Sequence, residues 1–339
     1  MQAGQNETTE KDIQTQQTDS PGMEIELTES SHQTKLFLNF PRENAEKENS
    51  IKLEACCNET SSVRVEDVFI DPKLRNQVFS FVARPQPPKY YLRKIKKAVY
   101  AEKEPGLDAD RFLAHFNSLR KCFDAIVKFK PVSFNNTESV PKYHKKVLVL
   151  DLDETLVHSY EQNPPNGTHT VDLLLYGKHK KTIYVKLRPF VREFLTLASE
   201  MFELCIFTAS HSTYANPIVD LLDPMGKIFK ARYYSNSCTQ VDKYLVKDLR
   251  IIGCDLKDII IVDNTVLCFG LQLANGIPIV CYRGQQVDTE LYELIHLLAF
   301  LSGSDDVRQD IMSYFRWDLF GKLYKDSKAL VKYYIKNIN

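Results

Sequence analysis

Nowhere in its 339 residues does the chain carry the run of roughly 20 apolar side chains that a membrane helix needs, and its first thirty residues lack the apolar core of a secretory signal. Both absences lead to the expectation of a soluble protein, nuclear or cytoplasmic, not secreted and without a membrane partner. Cys-x-x-Cys pairs are missing too. The eight cysteines, Cys56, Cys57, Cys122, Cys205, Cys238, Cys254, Cys268 and Cys281, fall mostly in apolar runs and read as buried free thiols of a reducing compartment. Net charge is also absent. The 44 Lys and Arg balance 44 Asp and Glu, so the whole-chain charge gives no sign of nucleic acid, and no direct nucleic-acid contact is expected. No internal repeat is visible.

What is present is unevenly distributed. Residues 1–62 hold 12 acidic and 5 basic residues, which leaves 32 acidic and 39 basic for the remainder, an excess of 7 positive charges suited to an anionic substrate. The same stretch is rich in Gln, Thr, Ser, Asn and Glu and too poor in apolar surface to offset the entropy of ordering it. It reads as a disordered, acidic, polar arm. Residues 63–140 read as a mixed, partly helical N-terminal extension. Arg84-Pro85-Gln86-Pro87-Pro88 breaks it, and Tyr91-Leu92-Arg93-Lys94-Ile95-Lys96-Lys97 is a basic run, either a solvated face or a nuclear address. Phe112, Phe116, Leu119, Phe123 and Ile126 recur at helical steps behind Asp108. They predict an amphipathic helix over 108–129, packed on the main domain or offered to a partner.

With 43% hydrophobic residues the chain can bury one core of ordinary size, expected at 141–304, with a helical C-terminal extension at 305–339. Val147-Leu148-Val149-Leu150, Phe202 to Phe207 and Ile259-Ile260-Ile261-Val262 are short, nearly all apolar runs, as central parallel strands covered on both faces should be. Helices fit between them at about 189–200, 211–222 and 243–252, and after them at 288–302 and 305–337. The alternation predicts an α/β fold: a doubly wound, mostly parallel sheet with helical flanks and, after the first strand, an inserted β-hairpin over Val171 to Leu187, centred on Gly177.

Open parallel sheets bind ligands beyond the carboxyl ends of their strands, so polar residues that terminate apolar runs are where chemistry is expected. Three runs end that way: the first in Asp151-Leu152-Asp153-Glu154-Thr155, the second in Thr208-Ala209-Ser210, the third in Asp263-Asn264. Together they offer carboxylates, a hydroxyl and a carboxamide, hard oxygen donors suited to magnesium. Two aspartates one residue apart can divide labour, one attacking while the other handles protons. A carboxylate attacking a dianionic phosphate needs a metal and cationic side chains to cancel the repulsion, and Lys247, at the start of the helix predicted over 243–252, offers that charge. Each element has a plainer reading. An Asp or Thr after a strand is commonly a helix cap, Asp263-Asn264 a turn, and Lys247 a solvated surface residue. The ordered combination at successive strand ends is what departs from chance.

Val149-Leu150-Asp151-Leu152-Asp153-Glu154-Thr155-Leu156-Val157-His158-Ser159 resembles the signature of the haloacid dehalogenase superfamily. The branch it resembles is that of the small phosphatases of the RNA polymerase II C-terminal domain, with Dullard-like enzymes. Leu187-Arg188-Pro189, Phe207-Thr208-Ala209-Ser210, Leu221-Leu222-Asp223-Pro224, Ser237-Cys238, Val246-Lys247-Asp248-Leu249, Ile261-Val262-Asp263-Asn264, Asn275-Gly276-Ile277-Pro278 and Asp288-Thr289-Glu290-Leu291 are similar to that branch as well. The resemblance implies a magnesium-dependent protein serine/threonine phosphatase. In that reading Asp151 attacks phosphorus to give an aspartyl-phosphate, and Asp153 protonates the departing oxygen and then activates water. An Asp151 oxygen, the Asp153 carbonyl and the Asn264 side chain would hold magnesium, steadied by Asp263. Thr208 and Lys247 would meet the phosphoryl group, with Arg188, Ser210 and Arg232 as further substrate contacts. The implied partner is a phosphorylated protein or peptide, the RNA polymerase II C-terminal tail among the candidates.

Three departures bear on substrate rather than chemistry. Ser235-Asn236 stands where the branch usually has Arg-Glu, with Arg232 nearby as a substitute for that arginine. Thr265-Val266 replaces Ser-Pro, and Gly284-Gln285 replaces an acidic pair. Two other functions share the fold, a catalytically silent scaffold and a small-metabolite phosphatase. The presence of both Asp151 and Asp153 argues against the first, and an open cleft beside an inserted hairpin against the second.

Overall fold

The computed structural model describes residues 70–80, 124, 141–164, 168–175, 179–315 and 317, all within one compact unit. The arm at 1–62, the break at 84–88, the basic run at 91–97, the helical spacing over 108–129 apart from Asp124, and residues 318–339 lie outside the described residues.

Strand β1 (Val147–Leu150) is wholly buried and lies at the centre of a five-stranded parallel sheet. On one side it pairs with β5 (Glu203–Phe207), which pairs with β6 (Phe229–Tyr233); on the other with β9 (Ile259–Asp263), which pairs with β10 (Gly276–Pro278). The chain thus winds outward from β1 in both directions, and β1 marks the switch point where such sheets leave a crevice. Register makes the crevice chemical. Leu150 stands level with Ile206 and Val262, so Asp151 emerges beside Asp263, one step from Thr208.

Helices cover both faces because their apolar stripes fit the sheet. α2 (Val191–Met201) buries Val191, Phe194, Leu195, Leu197 and Ala198, and α3 (Ser212–Leu222) buries Ala215, Ile218, Val219 and Leu222. α4 (Glu290–Ser302) is buried along most of its length. The short α1 (Pro72–Ser80) sets Val78 into the core, and its Arg75 meets Glu200 at 2.6 Å. α5 (Val307–Phe315) belongs to the same core through Val307, Ile311 and Phe315. Trp317 stacks on Phe315 and donates from Nε1 to the Gly276 carbonyl at 3.0 Å. A Cβ at Gly276 would sit 2.0 Å from the Phe269 ring, so that glycine is needed for close approach.

Between β1 and α2 lies a three-stranded antiparallel sheet, β2 (Val157–Tyr160), β3 (His169–Leu175) and β4 (His179–Leu187), in the order β2-β4-β3. The inserted hairpin is therefore real but begins two residues earlier than expected and is joined by a third strand. Val171, Leu173, Ile183 and Val185 alternate onto its buried face.

The helix expected over 243–252 is not there. Residues 239–246 form a hairpin instead, β7 (Thr239–Val241) with β8 (Tyr244–Val246), turned over Asp242 at φ 56°. Within the hairpin Val241 and Val246 are buried while its other residues are not, and Asp tolerates the left-handed turn that joins the strands. Only a single 3-10 turn, Leu249–Ile252, follows.

Among the described residues no helix is long and apolar enough to cross a membrane. The five described cysteines are free, Cys205 and Cys281 buried and Cys238, Cys254 and Cys268 half-buried; Cys56, Cys57 and Cys122 lie outside the described residues.

Candidate active site

The loop after β1 curls tightly because Leu152 O accepts the N–H groups of Thr155, Leu156 and Val157, with Glu154 in the left-handed region at φ 61°. These turn bonds bypass the Asp153 carbonyl. Curling turns both aspartates toward the strand ends. Asp151 is buried; its Oδ2 accepts from the Thr155 hydroxyl at 2.8 Å and its Oδ1 from Lys247 Nζ at 2.6 Å. The same ammonium reaches Asp263 Oδ2 at 2.5 Å, and Asp263 Oδ1 accepts from Thr265 N–H at 2.7 Å.

Lys247 follows β8, with its main-chain N–H held by the Cys268 carbonyl. Burial by itself lowers its pKa, but the Asp151 and Asp263 carboxylates outweigh burial and raise it, so it remains a cation. Two carboxylates share one ammonium, which leaves the cluster short of positive charge.

Asp153 is half-buried and held by hydroxyls. Ser210 donates to Oδ2 at 2.7 Å, Tyr214 lies 2.6 Å from Oδ1, and Thr208 sits at 3.5 Å from Oδ2. Burial raises its pKa, the bond from Tyr214 works against that, and the Asp151 charge adds to it. A carboxyl that keeps its proton above the usual range suits a proton donor. Thr208 is locked by two main-chain bonds, its N–H to Tyr233 O and its Oγ from Ser210 N–H.

Asn264 directs its amide nitrogen to Glu154 Oε2 at 3.3 Å, which also receives the Cys281 thiol at 3.0 Å. The amide oxygen therefore faces the other way. An Asp151 carboxylate oxygen, the Asp153 carbonyl and the Asn264 oxygen give an all-oxygen donor set, and no cluster of three His, Cys, Asp or Glu competes with it among the described residues. Few protein oxygens, with room left for water and phosphate, fit magnesium, and the shortage of positive charge around Lys247 fits a cation there.

Of the expected site residues, the structure brings together Asp151, Asp153, Thr208, Ser210, Lys247, Asp263 and Asn264. Two others are placed elsewhere. Arg188 is buried and meets Asp288 through Nε at 2.8 Å and Nη2 at 2.9 Å, Thr155 O at 2.9 Å and Val280 O at 2.7 Å. Four of its five N–H groups are engaged, so it ties α4's start to the Asp151 loop instead of meeting substrate. Arg232 turns to α3, meeting Asp220 at 2.7 Å and Asn216 at 3.3 Å. Sequence reasoning gave no role to Thr155, Glu154, Cys281 or Tyr214. Tyr214 stands four residues after Ser210, the spacing that puts two side chains on one helical face, and that was its only signal.

A profile of the family described as NLI interacting factor-like phosphatase matches residues 146–308. The match covers just under half of the chain. CTD small phosphatase-like protein 2 of Dictyostelium discoideum is 42% identical over 179 residues, covering 52% of this chain and 31% of that protein. The human CTD small phosphatase-like protein is 40% identical over 169 residues, covering 50% and 60%. The chain thus spans less than two thirds of these curated relatives. Among solved structures, the one titled as Fcp1, an essential RNA polymerase II CTD phosphatase, aligns over 54% of this chain and 64% of that one at 18% identity, with a TM-score of 0.37.

Several of the motifs that carry the resemblance prove to be frame. Asp223 accepts three main-chain N–H groups, from Lys227, Ile228 and Phe229. Asn275 donates to the carbonyls of Leu256 and Ile259, and Asp248 caps the turn after Lys247 by accepting from Arg250. Leu187-Arg188-Pro189 and Asp288-Thr289-Glu290-Leu291 are two halves of one ion pair.

Proposed function

We propose that this domain hydrolyses phosphoserine or phosphothreonine in proteins, with magnesium and through an aspartyl-phosphate on Asp151. The observation that carries the reading is the Asp151–Lys247–Asp263 cluster at the switch point, with Asp153 two residues from the nucleophile. Lys247 holds the Asp151 carboxylate in place and offers its charge to the incoming phosphoryl oxygens. An Asp151 oxygen attacks phosphorus while the bond to the Ser or Thr oxygen breaks, and that oxygen leaves with the electron pair and takes the Asp153 proton. Water then attacks the same phosphorus, Asp153 takes its proton, and the Asp151–phosphorus bond breaks to release phosphate and both carboxyls in their starting forms.

Magnesium, held by the Asp151, Asp153 and Asn264 oxygens, would supply charge neutralisation at the phosphoryl group. Asp263 acts from behind, through Lys247. Thr208 and Ser210 stand where a phosphoryl oxygen and Asp153 meet. The named relatives point to phosphoproteins as substrate, the RNA polymerase II C-terminal tail being one candidate, with nuclear or cytoplasmic residence.

The test is turnover of a phosphopeptide panel beside 4-nitrophenyl phosphate, with magnesium and with a chelator. Magnesium-dependent release of phosphate from peptides, and an acid-stable, hydroxylamine-labile phosphoryl group on the protein, are the expected results. Well-folded protein that hydrolyses none of these substrates would overturn the proposal.

A further inference from the structure

The hydroxyl of Tyr214 does two things at once. It lies 2.6 Å from Asp153 Oδ1 and 2.8 Å from Ser159 Oγ on β2. A phenol has one proton; given to Asp153 Oδ1, which accepts it as the carbonyl oxygen of the protonated acid as well as in the carboxylate, it leaves the Ser159 hydroxyl to complete the chain by donating to Tyr214. Asp153 Oδ2 is meanwhile held by Ser210 at 2.7 Å, from the turn just before α3. Each carboxyl oxygen thus has its own hydroxyl, both from one segment of chain. With two anchors the carboxyl cannot rotate about its Cβ–Cγ bond; with Ser210 alone it can.

We propose that Tyr214 is a positioning residue for proton transfer to the leaving oxygen, and that Ser159 acts through it, tying the orientation of the acid to the inserted sheet. The inference rests on the phosphatase reading and names a residue that reading did not need. Its chemistry makes a selective prediction. A serine or threonine alkoxide is a poor leaving group and needs the Asp153 proton as the bond breaks, whereas 4-nitrophenolate leaves without it. Misplacing the acid therefore harms one substrate and spares the other, while a general loss of packing harms both.

Tyr214→Phe keeps the ring and removes only the hydroxyl. With kcat/KM as the readout, which reports the first phosphoryl transfer, the variant is expected to lose roughly 10- to 100-fold on a phosphoserine peptide and less than about 3-fold on 4-nitrophenyl phosphate. Ser159→Ala is expected to show the same selectivity at smaller size, and circular dichroism melting confirms that both variants fold. Equal losses on the two substrates, or no loss on either, would overturn the positioning role. Should the wild-type chain hydrolyse neither substrate, the phosphatase reading itself falls, a result distinct from a wild-type enzyme whose variant shows no selectivity.

Discussion

Among the described residues two cations are buried, and they differ in how they are answered. Arg188 has a side chain 0% exposed, meets one carboxylate in a two-point contact and gives its remaining bonds to main-chain carbonyls. Lys247, 1% exposed, stands between two carboxylates whose charge it only half cancels. The first arrangement is saturated and electrically even, and it fastens two loops. The second is uneven and sits at the strand ends, where the proposed chemistry would bring a further positive ion and a negative phosphate. Burial of a charged residue does not separate frame from chemistry, because either kind of pair is expensive to desolvate. Balance does.

The largest expected effect comes from removing the charge that makes the cluster uneven. Asp151→Asn should lower kcat by roughly 10⁴-fold or more, since an amide cannot form the acyl phosphate. It should also leave Lys247 and Asp263 as an even pair, so the variant is expected to melt no lower than the parent, a trade of stability for activity common at active sites. Melting well below the parent would contradict the view that the cluster is built for catalysis. Next is Lys247→Met, which leaves two buried carboxylates facing each other. A loss of about 3–5 kcal/mol in chemical denaturation and a fall in kcat of about 10²-fold or more are expected. Added magnesium should restore part of the stability by binding the folded form, and its failure to do so would count against a cation at this position.

The same contrast explains what could be read from the chain alone. β1, β5 and β9 were legible because Val147 to Leu150, Phe202 to Phe207 and Ile259 to Val262 are nearly continuous apolar runs, and the catalytic candidates followed from where those runs stop. β6, β10 and β2 were not, since Phe229–Tyr233 and Val157–Tyr160 are mostly half-buried and Gly276–Pro278 is only three residues long. Residues 239–246 misled because a two-residue turn at Asp242-Lys243 sits inside a stretch that also suits a helix. Lys247 was expected on a helix and instead follows β8, from which it reaches Asp151 and Asp263. The placement of Arg188 depended on Asp288, a hundred residues away, and no local pattern shows whether an arginine faces a cleft or an aspartate.

Arg188 and Arg232 close the series by testing the saturated side of the comparison. Arg188→Met should destabilise the fold by about 3–5 kcal/mol, because Asp288 would be left buried without a partner, yet kcat measured on the folded fraction should stay within about 2-fold. Double replacement of Arg188 and Asp288 by apolar residues should recover much of that stability, as expected when an even pair is removed whole. Arg232 gives the smallest effect. Its side chain is 24% exposed and that of Asp220 50%, so the pair is screened by solvent and Arg232→Ala should shift stability by less than about 1 kcal/mol. Since Asp220 and Asn216 hold its Nη1 against α3, kcat/KM on phosphopeptides should be nearly unchanged. A drop of about 10-fold confined to peptides, with aryl phosphate hydrolysis intact, would show instead that Arg232 leaves α3 to meet the substrate, as the resemblance implied.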